Sequence, residues 1–179
     1  FWPEITPAEN PVGYITNGVH VSSLLARNWS DLFDQFLGND WSKHLCDEGF
    51  WKRLEDIPDP LFWQVKQVVK SRMLLVLRDA LSSQHLHNQI SETHLERLLK
   101  YIDPNNPNIL TIGFARRFAT YKRATLLLSD RQQLSKILGD SHKPVLFLFA
   151  GKAHPADNPG KSLLSAIYRL SMEPDYMGR

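Results

Sequence analysis

Residues 109–125, ILTIGFARRFATYKRAT, decide the fold class. Residues 109–114 form a continuous apolar run, the pattern of a parallel strand covered on both faces. The run breaks at Ala115 into a cluster of four cations, Arg116, Arg117, Lys122 and Arg123. Leu126, Leu127, Leu134 and Leu138 then recur roughly on one helical face, which predicts a helix over 120–138. On this reading the cations occupy a strand-to-helix loop and the first turns of a helix. A helix N-terminus already carries about half a positive charge, so each cation there is disfavoured by about 0.3–1 kcal/mol. A bound anion removes the mismatch. Helix-start N–H groups, two forked guanidiniums and an ammonium together make a phosphate site.

Downstream the pattern repeats. Residues 145–149 read as a second buried strand and 158–171 as a second helix. The β-α-β-α order predicts an α/β fold with a parallel strand pair and a right-handed crossover. Two strands do not make a stable open parallel sheet, so further strands are expected from beyond Arg179 or from a second copy. The loop after the second strand, Phe149-Ala150-Gly151-Lys152-Ala153-His154-Pro155, precedes Asn158-Pro159-Gly160-Lys161. Gly151 permits a sharp turn or a close approach. Lys152 and His154 are expected on the same rim as the arginines, although an ordinary βα turn explains them as well.

Upstream the chain reads as helical. Residues 1–13 are rich in Pro and polar side chains and read as a linker. Residues 14–20 suggest a short strand entering a turn at Asn17-Gly18. Ser22 and Ser23 are candidate caps for a helix carrying Leu25, Trp29, Leu32, Phe33 and Phe36, which ends at Gly38-Asn39. Residues 40–53 suggest a short helix or helix pair. Pro58-Asp59-Pro60 opens the longest helical pattern, with Phe62, Val65, Val69, Met73, Val76 and Ala80 on one face, Leu77 and Leu81 widening it, and an end near His85. Ser91 caps another helix striped by Leu95, Leu98, Leu99 and Ile102, and the run 103–107 breaks it. The expected organisation is a junction over 1–17, a helical segment over 18–107 and an incomplete β-α-β-α segment over 108–179.

Composition narrows the function. A net charge of +2 over 179 residues argues against a polybasic nucleic-acid or membrane partner, because the basic cluster is local. The one cysteine, Cys46, excludes an internal disulfide and a multi-cysteine metal site, and suggests a reducing cytoplasm. No apolar run is long enough to span a bilayer, and no signal peptide is visible. The chain starts without Met and ends on Met177-Gly178-Arg179, so both ends look cut from something longer. His85, His87 and His94 do not suggest a metal, since the i,i+2 pair lies on different helical faces. They are expected to be exposed. The Trp and Phe residues before Phe62 are expected in a core.

The strings GFARRFATYKRA and FAGKAHPADNPGK, downstream of ITNGVH, resemble the α-glucan phosphorylases (glycogen, starch and maltodextrin phosphorylases), in particular the bacterial short-type branch. The likeness runs from about Tyr14 to the C-terminus. It implies a GT-B architecture, two Rossmann-like domains facing across a cleft, with this chain at the start of the C-terminal one. It implies transfer of the terminal α-1,4-linked glucosyl unit to inorganic phosphate, giving glucose 1-phosphate with retention. It also implies pyridoxal phosphate, acting through its phosphate group, with an attachment lysine outside this chain. Arg117 and Lys122 match the family's substrate-phosphate ligands. Arg116 matches a basic position near the cofactor phosphate, and Asn17 matches the Asn that hydrogen-bonds the glucose 6-hydroxyl. Two departures stand out. Leu24 replaces a common cofactor-side Trp, and Ala119 replaces a His of the animal enzymes. Implied partners are an α-1,4-glucan and phosphate, with homo-oligomerisation of the parent left open. The 179 residues alone are expected to be inactive. The alternatives are a glycogen-synthase-type GT-B glycosyltransferase and a non-catalytic phosphate- or carbohydrate-binding module.

Overall fold

The computed structural model describes residues 3–9, 12–88 and 91–179, so the linker reading at Phe1, Trp2, Asn10 and Pro11 lies outside the described residues. The chain separates into two compact units, Phe1–Phe62 and Trp63–Arg179.

The first unit is built from short helices. Residues 12–20 carry no regular structure, so the strand expected at 14–20 is not formed. Its apolar members, Tyr14 and Ile15, are open to solvent, and among the described residues no strand pairs with them. Helix α1 (Val21–Leu24) is one turn, and α2 (Arg27–Leu37) ends at Gly38, whose φ of 96° favours glycine. A 3-10 turn at Trp41–Lys43, helix α3 (Glu48–Trp51) and a further 3-10 turn at Lys52–Asp56 follow. The aromatic side chains, expected in a core, cluster together with Trp41 buried and Trp29, Phe33, Phe36, Phe50 and Trp51 half-buried, beside buried Leu32, Leu37 and Ile57. Phe33 meets Trp41 and Trp51 edge-on at 5.4 and 5.9 Å between ring centroids. Edge-to-face packing matches each ring's positive rim to its neighbour's negative face. Both indoles find an acceptor: Trp41 Nε1 donates to Asp34 Oδ1 at 2.9 Å and Trp51 Nε1 to the His44 carbonyl at 2.9 Å.

The second unit is a mixed α/β layer structure. Helix α4 (Asp59–Asn88), opened by an acidic residue and Pro60, enters it from Trp63 onward. Helix α5 (Glu92–Leu99) follows Ser91, which occupies the cap position without a side-chain hydrogen bond. Strands β1 (Leu110–Ala115) and β2 (Val145–Ala150) pair in parallel, with Leu110 opposite Val145 and Ala115 opposite Ala150. Helices α6 (Arg131–Gly139) and α7 (Asn158–Ser171) follow β1 and β2 respectively. The predicted strand pair and the α7 boundaries are therefore borne out. Alternation along β2 explains the layering. Leu146 and Leu148 pack with α4 and α5 through Leu74, Leu77, Leu81, Leu95 and Leu99. Val145 and Phe147 pack with Leu134, Leu138 and Leu170 of α6 and α7.

Two sequence expectations are corrected here. The stripe assigned to α4 holds only in part: Leu77 and Leu81 pack against the core, but its central members do not. Met73 and Val76 are exposed, whereas Leu74 is fully buried. The inward face is partly polar because the backbone leading into β1 needs donors. Gln67 Nε2 donates to Asn108 Oδ1 at 2.6 Å, Lys70 Nζ to the Ile109 carbonyl, and Ser71 Oγ to the Pro104 carbonyl at 2.6 Å. Burial, and then the neighbouring charge of Lys66, lower the pKa of Lys70. His85, expected at the surface, is buried on α4, while His87 is exposed and His94 half-buried. No described helix is long and apolar enough to cross a membrane.

Candidate functional site

The cation cluster follows β1 directly, at the carboxyl end of the strands, where ligands bind in open α/β sheets. The parallel ladder does not stop at the last strand residues. The Arg116 N–H donates to the Ala150 carbonyl at 3.1 Å, and the Phe118 N–H to the Lys152 carbonyl at 2.9 Å. The two βα loops are thus laced together by their backbones. Phe118 points inward and is 1% exposed, packing with Ala124, Ile167, Phe114 and Phe149. Arg116 and Arg117, which precede this anchor, are exposed.

The predicted helix over 120–138 is corrected. Thr120–Lys122 and Leu126–Leu128 are single 3-10 turns, and the α-helix begins only at Arg131. Between the two turns Arg123 adopts a left-handed conformation, with φ 53° and ψ 40°. That costs an L-residue about 1–2 kcal/mol and interrupts a helix. The cations therefore do not crowd the N-terminus of the helix that follows them. Asp130 holds that N-terminus, accepting the Gln133 N–H at 2.9 Å. The spacing Asp130-x-x-Gln133 marks that start in the sequence itself.

Among the described residues none of Arg116, Arg117, Lys122 and Arg123 has a carboxylate in ion-pair contact. Lys122 is half-buried, with Nζ 4.6 Å from the centre of the Tyr121 ring. Three guanidiniums and an ammonium without a counter-charge favour an anion, and the forked guanidinium suits a phosphate.

The second loop is folded onto itself. His154 Nδ1 accepts the Ala156 N–H at 3.1 Å, and Lys161 Nζ donates to the Pro155 carbonyl at 2.9 Å. Asp157 caps α7 by accepting the Gly160 N–H at 2.9 Å. Lys152 is exposed. Residue-type reasoning passed over Phe118, although a lone large apolar residue among loop cations signals an anchor. It quoted Gly160 within Asn158-Pro159-Gly160-Lys161 without reading Asp157 just ahead as the cap of the helix.

Asn17 belongs to the first unit, where it is exposed on the irregular segment. Arg116, Arg117 and Lys122 are brought together by one loop of the second. A cavity of about 1040 Å³ opens at the other, amino end of the strands, beside Leu110 and Val145, and is separate from the cation loop. Among the described residues no group of three or more His, Cys, Asp or Glu side chains is gathered for a metal.

No family model and no solved structure matches the chain. Curated relatives do. The chain is 36% identical over 178 residues to the maltodextrin phosphorylase of Thermococcus litoralis, covering 99% of the chain and 20% of that protein. It is 33% identical over 171 residues to the glycogen phosphorylase of Aquifex aeolicus, covering 96% of the chain and 24% of the relative. It is 34% identical over 178 residues to the glycogen phosphorylase of Mycobacterium bovis, covering 99% and 20% respectively. The chain thus spans about a fifth to a quarter of the length of these relatives. The resemblance first carried by three short motifs extends over nearly all of its residues.

Proposed function

We propose, from the premise that this chain is related almost from end to end to one segment of the α-glucan phosphorylases, that it supplies the substrate-phosphate clamp of such an enzyme. The observation that carries the reading is the loop of cations without carboxylate partners at the carboxyl ends of two parallel strands. In the reaction the glycosidic bond at C1 of the terminal α-1,4-linked glucose breaks and a bond from C1 to a phosphate oxygen forms. The departing 4-hydroxyl gains a proton from the phosphate, so no carboxylate pair is needed, in contrast to ordinary glycoside hydrolysis. Arg117 holds the attacking phosphate through two parallel N–H donors, and Lys122 adds a point charge. Both stabilise the charge that the phosphate carries as the bond forms.

Pyridoxal phosphate is implied through the family alone. The exposed, unpaired Arg116 beside Arg117 suits a second phosphate, so the residues present fit that part of the group. When bound, the cofactor supplies a phosphate that exchanges a proton with the substrate phosphate. Asn17 is assigned to the glucose 6-hydroxyl by its motif match, and a GT-B domain pair is the architecture that goes with this reading. The cytoplasm is its expected location.

Calorimetric titration of the 179-residue chain with inorganic phosphate tests the clamp. The wild-type chain is expected to bind, and Arg117→Ala to bind about tenfold or more weakly, the loss of a charge-assisted hydrogen bond worth about 1.5–3 kcal/mol. Equal heats from both proteins refute it.

A further inference from the structure

We propose that Gly151 and Gly160 are positioning residues for the cation loop, setting where Arg116 and Arg117 stand by letting two backbones come closer than any side chain allows. The inference rests on the phosphate-clamp reading and goes beyond it, because neither glycine carries a charge or a donor aimed at a ligand.

In the second unit a Cβ added at Gly151, Gly160 or Gly178 would strike a main-chain oxygen, and two of these, Gly151 and Gly160, do so at the cation loop. A Cβ on Gly151 would run into the Arg116 carbonyl oxygen and lie 3.1 Å from Phe118 Cε2. A Cβ on Gly160 would run into the Phe118 carbonyl oxygen and lie 2.7 Å from Asp157 Oδ2, the other oxygen of the capping carboxylate. Real Cβ atoms do not approach backbone oxygens so closely, and here the atoms struck are main chain, which cannot rotate away. Neither glycine has a positive φ, so space rather than backbone conformation demands glycine. Gly113 and Gly139, in the same unit, have nothing within 4 Å of a built Cβ and impose no such demand.

The two contacts bracket the arginines. Gly151 presses on Arg116 from the end of β2, and Gly160 presses on Phe118 from the first turn of α7. The hydrogen bonds from Arg116 and Phe118 to Ala150 and Lys152 close the same frame, and the buried Phe118 ring pins it from below. Arg117 sits at the middle of this clamped tripeptide. A shift of a few tenths of an ångström in that backbone moves the guanidinium by more, and a bidentate fork tolerates little misplacement.

The test compares wild type, Gly151→Ala, Gly160→Ala and the open-space control Gly113→Ala by titration with inorganic phosphate, following the arginine side-chain NH resonances. In the wild type and in Gly113→Ala the Arg117 resonance is expected to move with phosphate. In Gly151→Ala and Gly160→Ala the apparent affinity is expected to fall about tenfold, while methyl resonances of Leu74 and Leu146 keep their wild-type positions. Those methyls report the core on the other face of the sheet, so a merely structural role would move them too. Gly151 is exposed and Gly160 buried. If Gly160→Ala does not fold, Gly151→Ala decides. Folded glycine variants that bind phosphate within twofold of wild type overturn the positioning role and leave the clamp standing. A wild-type chain silent to phosphate overturns the clamp and the positioning role with it.

Discussion

The two βα loops at the carboxyl end of the sheet divide one task in opposite ways. The loop after β1 carries charge: four cations, a 3-10 turn and a left-handed arginine, with no α-helix to start for several residues. The loop after β2 carries space and order: two glycines at points of close approach, an aspartate cap and an α-helix of 14 residues. Charge has been separated from regular structure. A loop crowded with like charges gains nothing from helical hydrogen bonds, since a helix start repels cations. Its geometry is imposed from outside, by the neighbouring loop and by one buried ring.

That division is broken most severely at Phe118. Phe118→Ala removes a ring that is 1% exposed beneath both loops, and is expected to cost about 3–5 kcal/mol in urea unfolding. A loss under 1 kcal/mol would mean that the β1 loop holds its own shape. Next comes Asp157→Ala, which removes the cap of α7 and is expected to cost about 1 kcal/mol. If the second loop orders the first, this variant also weakens phosphate binding although residue 157 is no proposed ligand; unchanged affinity would detach the two loops. The smallest effect is expected at Arg123→Gly. Relief of the left-handed strain at φ 53° is offset by the greater freedom of glycine in the unfolded chain, for a net gain of about 0.5 kcal/mol or less. A rise in the unfolding midpoint would locate strain in the charged loop; a fall would show that the Arg123 side chain repays it.

The same contrast explains what the sequence made legible. β2 and α7 were readable because their signals are local: an apolar run of strand length, then a Pro- and Gly-containing loop that opens a helical pattern. The stretch 120–138 was misread because its leucines keep helical spacing through a point where the backbone turns left-handed, and nothing in the residue type Arg123 announces that. The inward face of α4 was misread for a different reason. Its partners are the carbonyls of Ile102, Pro104 and Ile109, and a rule that sends apolar residues inward cannot anticipate a backbone that needs donors. At the candidate site the cations were plain in the sequence. The contacts that hold them, between Gly151 and Arg116 and between Gly160 and Phe118, join residues more than thirty apart in the chain and became visible only in three dimensions.

The aromatic core of the first unit has a practical corollary. Trp29, Trp41 and Trp51 all belong to that cluster, whereas the second unit holds a single tryptophan, the exposed Trp63 at its first residue, far along the chain from both strands. Intrinsic tryptophan emission is therefore almost blind to the parallel sheet and to the loops at its end. A melting curve followed by that signal reports the loss of the indole cluster, and a far-ultraviolet curve weights the longer helices of the second unit. Coincidence of the two is the test of a single cooperative transition, and the spacing between them would measure how independently the two halves come apart.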